Sequence, residues 1–331
     1  MKKKMLRFLV FALTPALLLG TCLGCGNQAA PETTESTDPP KSTVSQAAMD
    51  ALDGKKIIFL GNSFTFHGYA IKQIKENILT QAERVGDPGF FYQLCKRAGA
   101  EVSITNWCFG GHDITDYLGG PCEKKKDCQG QDHASFLVDR NFDYVALQLS
   151  VEKKYQGDLA AHLQPVMDMF REANPNVKFI LLVPHMAYDE AYDWAQDVDT
   201  LKGSGIIICN WGKMLDDIVN GKVQVPGAKQ SYARPTFVIS QDEKDGYHQN
   251  VLAGYITAAM LYSALTGESA VGLPYDFCDD PSIHPQYDLE DFKARKYTYE
   301  KFTNFVEVFR SPEDMAGLQQ LVDQYIKEAN G

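Results

Sequence analysis

The first place in this chain where side chains could do chemistry is an apolar run that stops at a serine, Lys56-Ile57-Ile58-Phe59-Leu60-Gly61-Asn62-Ser63-Phe64-Thr65. A serine hydroxyl is a weak nucleophile until a base takes its proton, and the base needs a third group to orient it. Two aspartate–histidine clusters could supply that pair, Asp245-Gly246-Tyr247-His248 and Asp280-Pro281-Ser282-Ile283-His284. The second sits in a tail with no strand before it. The first lies between an apolar stretch, Pro235 to Ile239, and a strong helical pattern, Val251 to Leu265. An Asp-x-x-His turn lets the carboxylate fold back onto the ring while the other nitrogen faces the serine. Ser63, His248 and Asp245 are therefore the candidate nucleophile, base and orienting acid of an acyl transfer. The plainer role for Ser63 is that of a helix cap.

The elements around them must bring distant residues to one rim. The Ile-Ile-Phe-Leu run reads as a parallel strand covered on both faces, with a crossover helix expected over about Tyr69 to Glu83. A short helix is expected over Phe90 to Ala98, ended by Gly99, then a strand over Glu101 to Phe109 ending in Gly110-Gly111. A polar insert runs from Gly119 to about Ser135. Asp143 to Leu149, Val177 to Val183 and Gly205 to Cys209 read as further strands, with helices over about Leu159 to Ala173 and Trp211 to Val219. Val251 to Leu265 reads as a helix ended by Gly267, and two C-terminal helices are expected over about Phe292 to Phe309 and Pro312 to Glu328, the latter capped by Ser311 with proline at its first position. Strands alternating with helices predict a parallel sheet with helices on both faces, an α/β three-layer sandwich. Ligands in such sheets bind beyond the carboxyl ends of the strands, where Ser63 would stand.

Taken in order, Gly61-Asn62-Ser63, Gly110-Gly111 and Asp245-x-x-His248 resemble the blocks of the SGNH (GDSL-type) hydrolase superfamily. Gly-Asn-Ser-Phe-Thr, Asp143-Tyr-Val-Ala-Leu-Gln148 and Asp-Gly-Tyr-His followed by Gly254-Tyr255 look like an uncharacterised branch of it, known only as a domain of unknown function. The resemblance implies a flavodoxin-like sandwich that hydrolyses esters, often O-acetyl groups on carbohydrate, without metal or organic cofactor. It implies Ser63 as nucleophile, His248 as base then acid, Asp245 as its orienter, and an oxyanion hole from the N–H groups of Ser63 and Gly111. The usual Gly-Asp-Ser is Gly-Asn-Ser here, expected to be harmless because that aspartate is outside the triad. The Gly-x-Asn-Asp block is missing. Gln148 is the natural replacement donor, and an ordinary buried hydrogen-bonding role is its equal alternative. His112 and His185 stand at strand ends and could touch substrate, a structural role being the stronger expectation for each, and no functional claim attaches to His67, His133, His162 or His284. A Gly-x-Ser-x-Gly elbow is absent, which disfavours an ordinary α/β-hydrolase.

The front of the chain sets its surroundings. Lys2, Lys3, Lys4 and Arg7 precede an apolar run, Phe8 to Leu19, that reads as a secretory signal peptide. It closes on Thr21-Cys22-Leu23-Gly24-Cys25, which resembles a bacterial lipobox with Cys25 as the lipidated residue and Cys22 as the weaker alternative. Residues 1–25 are thus expected to be leader, 26–50 a disordered tether and 51–331 one folded domain with a C-terminal helical extension. The formal charge of −11 grows more negative once the leader's cations are gone, which excludes nucleic acid as an expected partner. Cysteine spacings fit no common zinc pattern, and no metal is expected. Cys122 and Cys128 could close a disulfide around the polar insert or stay as thiols. These observations predict a lipid-anchored, extracytoplasmic esterase acting on an acylated glycan or small ester; a tethered glycan-binding module that has lost activity is the second reading.

Overall fold

A computed structural model describes residues 44–75, 78–86, 89–118, 136–150, 158–185, 194–238, 248–280 and 304–331. The described residues contain five strands, β1 (Lys56–Gly61), β2 (Ser103–Cys108), β3 (Tyr144–Gln148), β4 (Lys178–Leu182) and β5 (Ile207–Cys209). All pair in parallel, in the order β2-β1-β3-β4-β5. The helices are α1 (Gln46–Leu52), α2 (Ser63–Phe66), α3 (Phe90–Arg97), α4 (Leu159–Arg171), α5 (Trp194–Asp199), α6 (Trp211–Val219), α7 (Val251–Thr266), α8 (Asn304–Phe309) and α9 (Pro312–Asn330).

Side-chain alternation along the strands splits the core into two layers. Ile57 and Phe59 of β1, with Ala146 and Ile180, join the layer built with α3, α7 and α9. Ile58 and Leu60, with Val145, Leu147 and Leu181, join the layer built with α4. Because both faces are covered, the strand interiors are buried and mostly apolar, with Thr105 and Asn106 of β2 as polar exceptions, and the expected α/β sandwich is the fold observed. α7 is buried on all sides, as befits a helix with no polar face, and it packs against α1, α3, α6 and α9.

Three expectations are corrected. The segment read as a crossover helix, Tyr69 to Glu83, is not one. Gly68 and Tyr69 take left-handed φ values of 76° and 68°. The carbonyls that such a helix would need are held by side chains: Lys72 O accepts from Asn106, and Lys75 O and Ile78 O accept from fully buried Arg84. Among the described residues the connection from β1 to β2 contains the short α2, 3₁₀ turns over His67–Tyr69 and Gln81–Arg84, and α3. Second, α1 begins inside the stretch read as tether, with Ser45 accepting from Ala48 N–H as its cap. Third, α5 was not expected, being short and acidic rather than periodic. The leader, Cys22, Cys25, the polar insert with Cys122 and Cys128, Asp245 and most of the expected 292–309 helix lie outside the described residues. Cys95, Cys108, Cys209 and Cys278 are buried.

Candidate active site

β1 ends at Gly61, and Asn62 turns the chain into α2. The Asn62 Oδ1 accepts from Phe64 N–H at 3.0 Å, the usual work of a helix cap. Its Nδ2 donates to His112 O at 3.1 Å and Leu149 O at 3.4 Å. One side chain thus fastens the turn to the loops that follow both neighbouring strands. A carboxylate could cap α2 but could not donate to those carbonyls, so asparagine at this position is more than a harmless variant. Ser63 opens α2, where N–H groups have no partner within the helix.

His248 reaches the serine from the other side of the fold, its Nε2 2.7 Å from Ser63 Oγ. The two residues that follow it fix that approach. Gln249 donates to Phe64 O, and Val238 and Gln249 form an isolated antiparallel bridge. Asn250 caps α7 by accepting from Leu252 and Ala253 N–H and donates to Thr236 O at 2.8 Å. The imidazole lies between Phe64, with ring centroids 5.3 Å apart, and His67, 4.2 Å apart. His67 is held there by a close backbone contact. A Cβ on Gly254 of α7 would stand 1.8 Å from Gly68 O, so only glycine lets the two segments meet. Asp245 lies outside the described residues.

The loop after β2 is tied to the same turn. Phe109 N–H donates to Gly61 O, and Tyr117 OH donates to the same carbonyl at 2.5 Å. Burial holds the Tyr117 pKa well above its ordinary value, so the phenol stays a donor. Gly111 takes φ 65°, the left-handed conformation that glycine tolerates. His112 Nδ1 lies 3.1 Å from Gly110 O, and Asp113 caps the 3₁₀ turn Ile114–Tyr117 while contacting His162 Nε2 at 3.0 Å.

Gln148 stands at the end of β3 as expected, but its donors are occupied. Nε2 donates to Leu182 O at 3.0 Å and Leu149 O at 3.4 Å, and the side chain is buried. Both partners are carbonyls and can only accept, so the amide nitrogen must face them. Gln148 therefore offers no donor to an oxyanion, and the alternative role as a buried hydrogen-bonding residue is the one observed. The roles of Asn62, Gln249 and His67 were not foreseen. Nothing in a single sequence marks a histidine as the ring that stacks on another.

His185, just beyond the end of β4, is buried, and neither ring nitrogen has a hydrogen-bond partner among the described residues. Burial, with the charges of Arg234 and His248 adding to it, pushes its pKa down to about 3, so the ring is neutral at ordinary pH.

No family model matches the chain, and no curated relative matches it. Among solved structures it is similar to a DUF4886 family protein from Bacteroides uniformis, at 15% identity and TM-score 0.47, covering 84% of this chain and 96% of that one. It is also similar to the acetylxylan esterase Axe2 from Geobacillus stearothermophilus, at 14% identity and TM-score 0.40, covering 67% and 98%. A third is a carbohydrate esterase family 2 enzyme with a carbohydrate binding domain from Corynascus, at 14% identity and TM-score 0.37, covering 67% and 68%. Likeness at this level assigns no residue a role. What the site can do rests on its own contacts: a hydroxyl at the mouth of a helix, within hydrogen-bond reach of an imidazole.

Proposed function

We propose that this protein is a serine ester hydrolase of the SGNH type, exported and anchored through a lipid on Cys25, that removes acyl groups, O-acetyl above all, from a carbohydrate. The observation that carries the reading is the 2.7 Å approach of His248 Nε2 to Ser63 Oγ beyond the carboxyl end of β1. Nε2 takes the hydroxyl proton as Oγ attacks the ester carbonyl, and the imidazolium then protonates the departing alcohol. Water, activated by the same nitrogen, cleaves the acyl-enzyme. Asp245 orients the ring from its other nitrogen. The N–H groups of Ser63 and Gly111 receive the oxyanion, without help from Gln148.

The test is release of acetate from acetylated oligosaccharides and from 4-nitrophenyl acetate, with a chelator present, by the protein and by Ser63→Ala. Chelator-resistant turnover in the first and loss of about 10³-fold or more in the second is the expected result. Equal turnover in both would remove Ser63 from the chemistry.

A further inference from the structure

Beside the Ser63–His248 pair, a cavity of about 140 Å³ opens between α6 and the segment that leads to His248. Its buried wall carries His185, Asp216, Leu215 and Phe237, and half-buried Arg234 and exposed Asn220 stand at its rim. Phe64 connects it to the catalytic pair, its ring 6.0 Å from that of His185 and 5.3 Å from that of His248. Buried polar groups are almost always satisfied, yet both nitrogens of His185 meet no partner among the described residues.

The chemistry of the wall selects the visitor. It combines one cation, one anion, a neutral imidazole and an amide. An anionic ligand would face Asp216 and a cationic one Arg234. A hydroxyl, which gives and accepts a hydrogen bond, suits all four groups. The volume equals that of about five waters in the liquid, too small for a drug-sized ligand and matched to the polar edge of one sugar ring. A second, larger hollow of about 550 Å³ borders the same stretch of chain, and its polar lining is Gln224, Gln230 and Tyr232, with no charged residue. Amides and a tyrosine ring over an apolar floor suit further neutral sugars.

Resting on the esterase reading above, we propose that the His185–Arg234 cavity is a subsite for hydroxyl groups of a neutral sugar next to the one that bears the ester. The test titrates Ser63→Ala protein with cellotetraose, xylotetraose and chitotetraose by calorimetry, then repeats it with His185→Phe or Arg234→Ala added. His185→Phe keeps a ring between Phe64 and Trp211 while removing both nitrogens, and melting temperatures confirm that each variant is folded. Binding of at least one tetrasaccharide that weakens about tenfold or more in both variants is expected. No binding of any of the three, or binding unchanged by both substitutions, overturns the subsite whether or not the protein hydrolyses esters. Subsite-dependent binding by a protein whose wild type turns over no ester would keep the subsite and remove the enzyme reading.

Discussion

At the residue scale the site depends on amides as much as on Ser63 and His248. Asn62 and Gln249 each use one side chain to join segments far apart in sequence, Asn250 ties the start of α7 to Thr236, and together they set where Ser63 and His248 meet. Gln148 is a fourth such amide, and its placement makes a sharp prediction. Loss of an oxyanion donor costs about 10²–10³ in rate. Gln148→Leu should instead lower kcat less than about tenfold while lowering stability by about 0.5–1.5 kcal/mol, because Leu182 O, which keeps Leu149 N–H, and Leu149 O, which keeps Asn62 Nδ2, each lose one donor. Paired kinetics and thermal melts would show this, and a kcat loss of the larger size with an unchanged melting point would restore Gln148 to the oxyanion hole. The Gly-Asn-Ser turn and His248 were legible in sequence because they stand beside recognisable elements, β1 and α7. The side-chain tie made by Asn62 was not, since its partners are backbone carbonyls of two other loops.

At the element scale, α7 is the backing on which the site is assembled. Its cap, Asn250, fixes the segment of His248, and its Gly254 lets Gly68 lie against it and so places His67 beside the His248 ring. Alanine is the better helix former by about 1 kcal/mol, so Gly254→Ala would stabilise the protein if helix propensity decided the matter. The 1.8 Å clash with Gly68 O decides it the other way. The variant should lose about 1–3 kcal/mol by overpacking, and kcat should fall with it as His67 and His248 are displaced; a more stable variant with full activity would contradict this. The strands and α6, α7 and α9 were readable from periodicity and capping residues. The Tyr69–Glu83 stretch was misread because its amphipathic pattern competes with Arg84 and Asn106, whose side chains take its carbonyls, and that competition is invisible to a local pattern.

At the scale of the whole molecule, the C-terminal helix α9 closes the layer that holds α7 and also anchors the chain between α6 and His248. Asp314 makes that second tie, accepting from Lys229 and Gln230 N–H at 3.0 and 3.1 Å, from Tyr232 OH at 2.7 Å and from Ser311 Oγ at 2.5 Å. Burial raises its pKa, but these bonds outweigh it and hold the carboxyl below its ordinary value. A depressed folded pKa gives stability that is complete above the unfolded value of about 3.9 and is lost as pH falls through the folded one. Asp314→Asn should therefore cost about 1–3 kcal/mol at pH 7 and progressively less below pH 4, as urea unfolding at the two pH values would record; an equal deficit at both would place the stabilisation elsewhere. The sequence alone predicted the cap at Ser311 but not this tie, which joins residues 82 to 85 positions apart.

The central claim is that Ser63 is a nucleophile because His248 is its base, and a covalent trap tests it without knowledge of the natural substrate. Diethyl 4-nitrophenyl phosphate transfers its phosphoryl group to an activated serine and releases nitrophenolate. Mass spectrometry of the treated protein should find one diethylphosphoryl group, on the peptide containing Ser63, and none in His248→Ala. No adduct at Ser63, or an adduct formed equally fast without His248, would contradict the account.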